Sequence, residues 1–169
     1  MPSLISLPFL GYVDADEPVY RTTRSLLLSN ETNPYCYGES EPLANSSAVL
    51  GGISSEDASG NAGLGNIWPL GLVVRLLTRG SRSSVSDAEA RAILRVLVES
   101  SGGTGLMHES YWLTDAHSYT RYWFALSNSY LGEALLCLAE ERTDLLYADE
   151  AADEAQARAH KWRSSSCSQ

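Results

Sequence analysis

The chain has 169 residues, 44% of them hydrophobic, which is enough apolar material for one packed domain. Its 21 acidic against 12 basic residues leave a net charge of −9, which disfavours nucleic acid and anionic membrane as partners because phosphates are repelled. The three cysteines, Cys36, Cys137 and Cys167, have neither metal-ligand spacing nor the count of a disulfide framework, and no apolar run approaches the ~18 residues of a membrane span.

Residues 2–11 are apolar and bracketed by Pro2 and Pro8, so they read as an extended or tightly turned entry. Asp16-Glu17-Pro18 opens a helix, with acids at its positive end and proline in its first turn. Val19, Thr22 or Thr23, Leu26 and Leu27 continue it to Ser29-Asn30. Residues 31–65 are rich in Gly, Ser, Asn and Glu and lack periodicity, which predicts a long loop. Asn30-Glu31-Thr32 and Asn45-Ser46-Ser47 fit the glycosylation acceptor pattern, a short pattern that leaves the compartment open.

Asn66 is placed to cap a helix containing Trp68 and Pro69, then Leu70, Val73, Val74, Leu76 and Leu77, ending near Gly80. Ser86-Asp87-Ala88-Glu89 is a capping box, and Ala90, Ile93, Leu94 and Leu97 form the buried stripe of the helix it starts, closed by Gly102 or Gly103. A further helix is expected from about Tyr122 to Glu141, with Leu131, Leu135 and Leu138 inward and Cys137 as a small core residue. From Thr143 onward the acidic and then basic pattern reads as a solvated helix and a frayed Ser-rich tail.

Chemistry concentrates between Gly102 and Glu133, where two of the three histidines, two of the four tryptophans and four of the nine tyrosines surround Glu109. Ring faces stack on the C–H faces of pyranoses and a carboxylate moves protons, so a sugar site is one reading; a loop-to-helix junction with buried aromatics is the other. His108-Glu109 is half of a zincin motif, but position 112 is Trp and no second ligand follows. No G-x-S-x-G elbow, P-loop or dinucleotide fingerprint is present.

The order of residues narrows this. Gly103-Thr104-Gly105-Leu106-Met107-His108-Glu109-Ser110-Tyr111 resembles the G-T-G-x-M-H-E-S-[FY] signature of glycoside hydrolase family 125, the exo-acting α-1,6-mannosidases. Thr120-Arg121-Tyr122-Trp123-Phe124-Ala125-Leu126-Ser127-Asn128-Ser129-Tyr130-Leu131-Gly132-Glu133 resembles that family's T-R-x-W-F-A-W-A-N-S-x-x-G-E. Pro2 to Gly11 and Ile67-Trp68-Pro69-Leu70 match two further blocks in the same order.

The resemblance implies an all-α fold, the C-terminal part of an (α/α)6 barrel with long loops carrying the site. Residues 1–143 would be the catalytic part and 144–169 the solvated helix and tail. It implies an inverting exo-α-1,6-mannosidase in which Glu109 is the general base, while the general acid comes from upstream of this chain. The chain alone is then expected to be inactive. Asp115 is too close in sequence to Glu109 to take the acid's part.

His108 and Arg121 are expected to bind sugar hydroxyls or to hold Glu109. Trp112, Trp123 and Trp68 are expected to stack on sugar or to serve as core, and Asn128 to reach the barrel interior. No metal or cofactor is expected, and the partner is an α-mannoside or N-glycan-derived oligosaccharide. Two departures bear on the lining. Tyr122 and Leu126 stand for the family's Pro and Trp, and Ser54-Ser55-Glu56-Asp57 for its S-P-H-T turn. A non-catalytic helical interaction module and an (α/α)-barrel glycosidase of other sugar preference are the remaining readings.

Overall fold

The computed structural model describes residues 4–37, 52–53, 65–78 and 86–147. A 3-10 turn, Leu4–Ser6, is followed by helix α1 (Pro18–Leu27), strands β1 (Cys36–Tyr37), β2 (Gly52–Ile53) and β3 (Asn66–Ile67), and helices α2 (Pro69–Leu77) and α3 (Asp87–Ser100). Strands β4 (Ser110–Trp112) and β5 (Asp115–Thr120) come next, then helices α4 (Ala125–Glu141) and α5 (Thr143–Leu146). β1 pairs with β2, and β3, β4 and β5 form an antiparallel sheet in that order. The chain divides into two compact units, Met1–Ala134 and Leu135–Gln169.

In the first unit the helices behave as their apolar spacing dictates. Ile5, Leu70 and Val74 form a core against which Leu27, Leu28 and Tyr130 pack, and the Tyr20 hydroxyl ties α1 to the entry turn by donating to the Ile5 carbonyl at 2.9 Å. α2 is buried nearly all round, from Pro69 through Leu76 except Gly71, as its almost unbroken apolar sequence requires. α3 buries Ala90, Ile93, Val96, Leu97 and Ser100, a stripe at helical spacing. Each fully buried aliphatic of this kind contributes about 1.5–3 kcal/mol.

The Ser86 capping box forms only by half. Ser86 Oγ accepts from the Glu89 N–H at 3.1 Å, but the Glu89 carboxylate leaves the cap for two guanidiniums, Arg75 Nη2 at 2.6 Å and Arg24 Nη2. This ion cluster pins α1, α2 and α3 together.

Several expectations change. An all-α chain does not accommodate the β3–β4–β5 sheet; the described residues are helix-rich with small antiparallel sheets. Asn66 is a strand residue, and Trp68 lies outside α2 with extended φ −97° and ψ 111° because the following Pro69 clashes with a helical residue before it. α4 begins at Ala125, two residues beyond Trp123. Cys137 is exposed rather than core, and Leu135 is 37% exposed, while Ser127, Ala134 and Leu138 are the buried positions of that helix. Of the tail, only residues to Tyr147 are described, with Leu145 of α5 buried. Ser54 to Asp57, Asn45, Gly80 and Cys167 lie outside the described residues.

Candidate functional site

The Gly-rich loop after α3 is built to return the chain onto β5. Gly102, Gly103 and Gly105 have φ of +57°, +79° and +70°. Gly102 is required twice over: it is left-handed, and a Cβ there would sit 2.9 Å from the Ala116 carbonyl oxygen. Thr104 organises the remainder, its hydroxyl donating to the Ser101 carbonyl at 2.6 Å and accepting from the Leu106 N–H at 3.2 Å.

The loop delivers Glu109 to the residue before β4, opposite the end of β5. Ser110 faces Thr120 and Tyr111 faces Tyr119, after which β5 takes four positions, Tyr119 to Asp115, while β4 takes one, Tyr111 to Trp112. This irregularity lies toward the hairpin turn and leaves the Glu109 end regularly paired. There the Glu109 N–H is shared between the carbonyls of Thr120 at 3.2 Å and Arg121 at 3.4 Å.

The carboxylate itself is buried, with 8% of its side chain exposed. Thr120 Oγ1 donates to Glu109 Oε2 at 3.2 Å, and Arg121 Nε forms an ion pair with the same oxygen at 3.3 Å; Oε1 receives neither of these contacts. Thr120 Oγ1 lies 2.7 Å from Ser110 Oγ. Arg121 adopts φ +40°, a left-handed conformation at the cost of about 1–3 kcal/mol for a non-glycine residue. Strain of this kind persists where neighbouring structure over-determines the backbone, and Arg121 is held from both sides, its carbonyl by Glu109 and its guanidinium by the carboxylate.

His108 and Asn128 lie beneath this cluster as supports. His108 is 1% exposed; Nδ1 faces the Tyr122 carbonyl at 2.7 Å and Nε2 the Ser101 carbonyl at 3.2 Å. Its ring stacks on Tyr119 with centroids 3.7 Å apart and planes 6° from parallel. Both ring nitrogens are thus occupied by main chain, and His108 joins the glycine loop to β5 and the segment after it. Asn128 grips Met107 as a strand neighbour would: Oδ1 accepts from its N–H at 3.0 Å, and Nδ2 donates to its carbonyl and to that of Phe124, each at 2.8 Å.

The tryptophans are less closely gathered. Trp112 on β4 is 40% exposed and lies over Gly65, where a Cβ would come 2.8 Å from the indole ring. Trp123 is 58% exposed in the segment before α4, beside Tyr122 at 55%. Trp68 is half-buried, edge-on to Phe124 with centroids 6.3 Å apart, and its indole Nε1 is buried without a partner among the described residues. The structure therefore brings Glu109, Arg121 and His108 together, supports their loop with Asn128, and exposes Trp112 and Trp123 as ring surfaces.

Thr120, Ser110 and Tyr119 are contacts that the motif reading did not single out. The register that sets Ser110 opposite Thr120 depends on the irregularity between Tyr111 and Trp112, which residue order does not announce. Among the described residues no cluster of three or more His, Cys, Asp or Glu could hold a metal ion, and no helix is long and apolar enough to cross a membrane.

Comparison with known proteins shows the family. The family model described as metal-independent alpha-mannosidase (GH125) matches residues 1–136. The meiotically up-regulated gene 157 protein of Schizosaccharomyces pombe is 41% identical over 146 residues, which are 86% of this chain and 25% of that protein. A Streptococcus pneumoniae structure from a study of metal-independent α-mannosidases, a non-productive complex with α-1,6-mannobiose, superposes with a TM-score of 0.64 at 36% identity. That match covers 84% of this chain and 29% of the other. The chain thus spans about a quarter of the length of the relatives it matches.

Proposed function

The chain belongs to the metal-independent α-mannosidases of family GH125, and on that premise we propose that it carries the general-base half of an inverting exo-α-1,6-mannosidase. Glu109 is the base. The observation that supports this is the one-sided tethering of its carboxylate: Thr120 and Arg121 both engage Oε2, and Oε1 is the oxygen offered to water.

In this reading a water held at Oε1 gives its proton to Glu109 as its oxygen attacks the anomeric carbon. The glycosidic C–O bond breaks on the opposite face, and the leaving oxygen takes a proton from a carboxylic acid roughly 6.5–9.5 Å from the base. That acid belongs to the part of the enzyme this chain does not span. The mannose released has the configuration opposite to the bond cleaved. Arg121, with an exposed guanidinium, contacts both Glu109 and a sugar hydroxyl. Trp112 and Trp123 offer ring faces for pyranose stacking. His108 and Asn128 hold the loop, and Trp68 keeps a buried indole N–H without a partner among the described residues. The helices of residues 1–143 are a portion of an (α/α)6 barrel, with residues 144–169 appended to it, and the substrate is an α-1,6-mannoside of the N-glycan type.

The test is hydrolysis of α-1,6-mannobiose by the complete enzyme, followed by proton NMR within the first turnovers. β-Mannose is expected first, and Glu109→Gln should lower kcat about 10³-fold, within the range supplied by a positioned base. The 169-residue chain by itself should release no mannose. Initial α-mannose, or a Glu109→Gln enzyme of near-normal rate, would overturn the assignment.

A further inference from the structure

We propose that Thr120 and Ser110 are positioning residues, forming a two-hydroxyl relay that aims Glu109; this rests on Glu109 acting as the base. The direction of the relay follows from proton counting. An ionised carboxylate only accepts, and a threonine hydroxyl carries a single proton. Thr120 spends that proton on Glu109 Oε2, 3.2 Å away. The 2.7 Å contact between Thr120 Oγ1 and Ser110 Oγ must then be donated by Ser110. The relay runs from Ser110 through Thr120 to Glu109, and Ser110 is fully buried.

Thr120 is suited to this for a second reason. Its carbonyl accepts the Glu109 N–H at 3.2 Å, so one residue holds the main chain and the carboxylate of the base together. β-Branching restricts its χ1, and direct pairing with Ser110 across the hairpin fixes the distance between the two hydroxyls. Arg121 approaches the same oxygen, but its side chain is 59% exposed and its pull is screened by solvent. The neutral hydroxyl therefore sets the angle of the carboxylate more firmly than the charge does. Catalytic hydrogen bonds are often long before substrate arrives, and the 3.2 Å separation leaves this one room to tighten.

Two measurements test the relay. In the complete enzyme, Thr120→Val preserves shape but removes the donor; it should lower kcat roughly 10- to 100-fold with KM within about twofold, as expected when a base is misaimed by about 1 Å. Thr120→Ser restores the hydroxyl and should recover kcat to within about fivefold of wild type, with Ser110→Ala falling between the two. In the complete enzyme, the H/D isotope shift on the Glu109 carboxyl carbon should be alike in wild type and Thr120→Ser and smaller in Thr120→Val, where the Arg121 N–H remains on that oxygen without the hydroxyl.

Equal losses of kcat in the Val and Ser variants, or an isotope shift of unchanged size in Thr120→Val, would overturn the relay. The two readings fail separately: an active Glu109→Gln enzyme removes the base itself, whereas an inactive Glu109→Gln beside a fully active Thr120→Val removes only the relay. The isotope arm decides the hydroxyl contact whether or not mannoside is hydrolysed.

Discussion

Two glutamates in this chain, Glu89 partly buried and Glu109 buried, both meet arginine, and they do opposite things with it. Glu89 lies on α3 and receives Arg24 from α1 and Arg75 from α2 on one oxygen, both guanidiniums being largely buried at 13% and 4% side-chain exposure. Glu109 stands at the open end of a hairpin and receives one arginine that is 59% exposed, together with a neutral hydroxyl. In the first case charge is answered by charge between helices, and Glu89 is the member on which both arginines converge. In the second the carboxylate is buried but meets only one cation, whose side chain is mostly in solvent. A carboxylate shared by two largely buried arginines from packed helices is a fastening; Glu109 is held instead by one exposed arginine and a neutral hydroxyl.

Exchanging the two substitutions probes that contrast most directly. Glu109→Gln should abolish most of the rate of the complete enzyme, by about 10³-fold, while leaving its melting temperature nearly unchanged. Glu89→Ala should do the reverse, destabilising by about 3–5 kcal/mol in urea unfolding through loss of the carboxylate that Arg24 and Arg75 share, with substrate turnover preserved in the fraction that folds. If Glu89→Ala proved neutral, the cluster would not be the pin described above.

Smaller effects sharpen the same distinction. Asn128→Ala removes the grip on Met107 and should lower stability by about 1–3 kcal/mol, reported by hydrogen exchange as faster opening at Met107. Gly102→Ala combines a left-handed backbone with a Cβ 2.9 Å from the Ala116 carbonyl and should cost about 1–3 kcal/mol, measured by thermal unfolding. Arg121→Gly should be the mildest for stability. It relieves the strained φ of +40° while losing a screened ion pair, so the melting temperature should stay within a few degrees as kcat/KM falls about tenfold.

Much of the site was legible in the order of residues, because the glycine loop, Glu109 and the Thr120-Arg121 pair all lie in one window. The helices were legible too, since α1, α2 and α3 carry apolar stripes and proline or serine starts. The sheet was not. β3 and β4 have two and three residues, too few for alternation to register against aromatic, half-polar neighbours. That gap misplaced Asn66 and Trp68, and it hid Thr120, whose importance depends on being opposite Ser110.

Composition and residue order alone determined that this chain is acidic, helix-rich and carries a carboxylate on a glycine-preceded loop, because those properties are local in the chain. Only the tertiary structure decided which oxygen of Glu109 is tethered, that both nitrogens of His108 face main-chain carbonyls, and that Glu89 leaves its cap to bind Arg24 and Arg75. Each of those outcomes depends on a partner 7 to 65 residues away, and a side chain's hydrogen-bonding capacity is spent on whatever folding brings nearest.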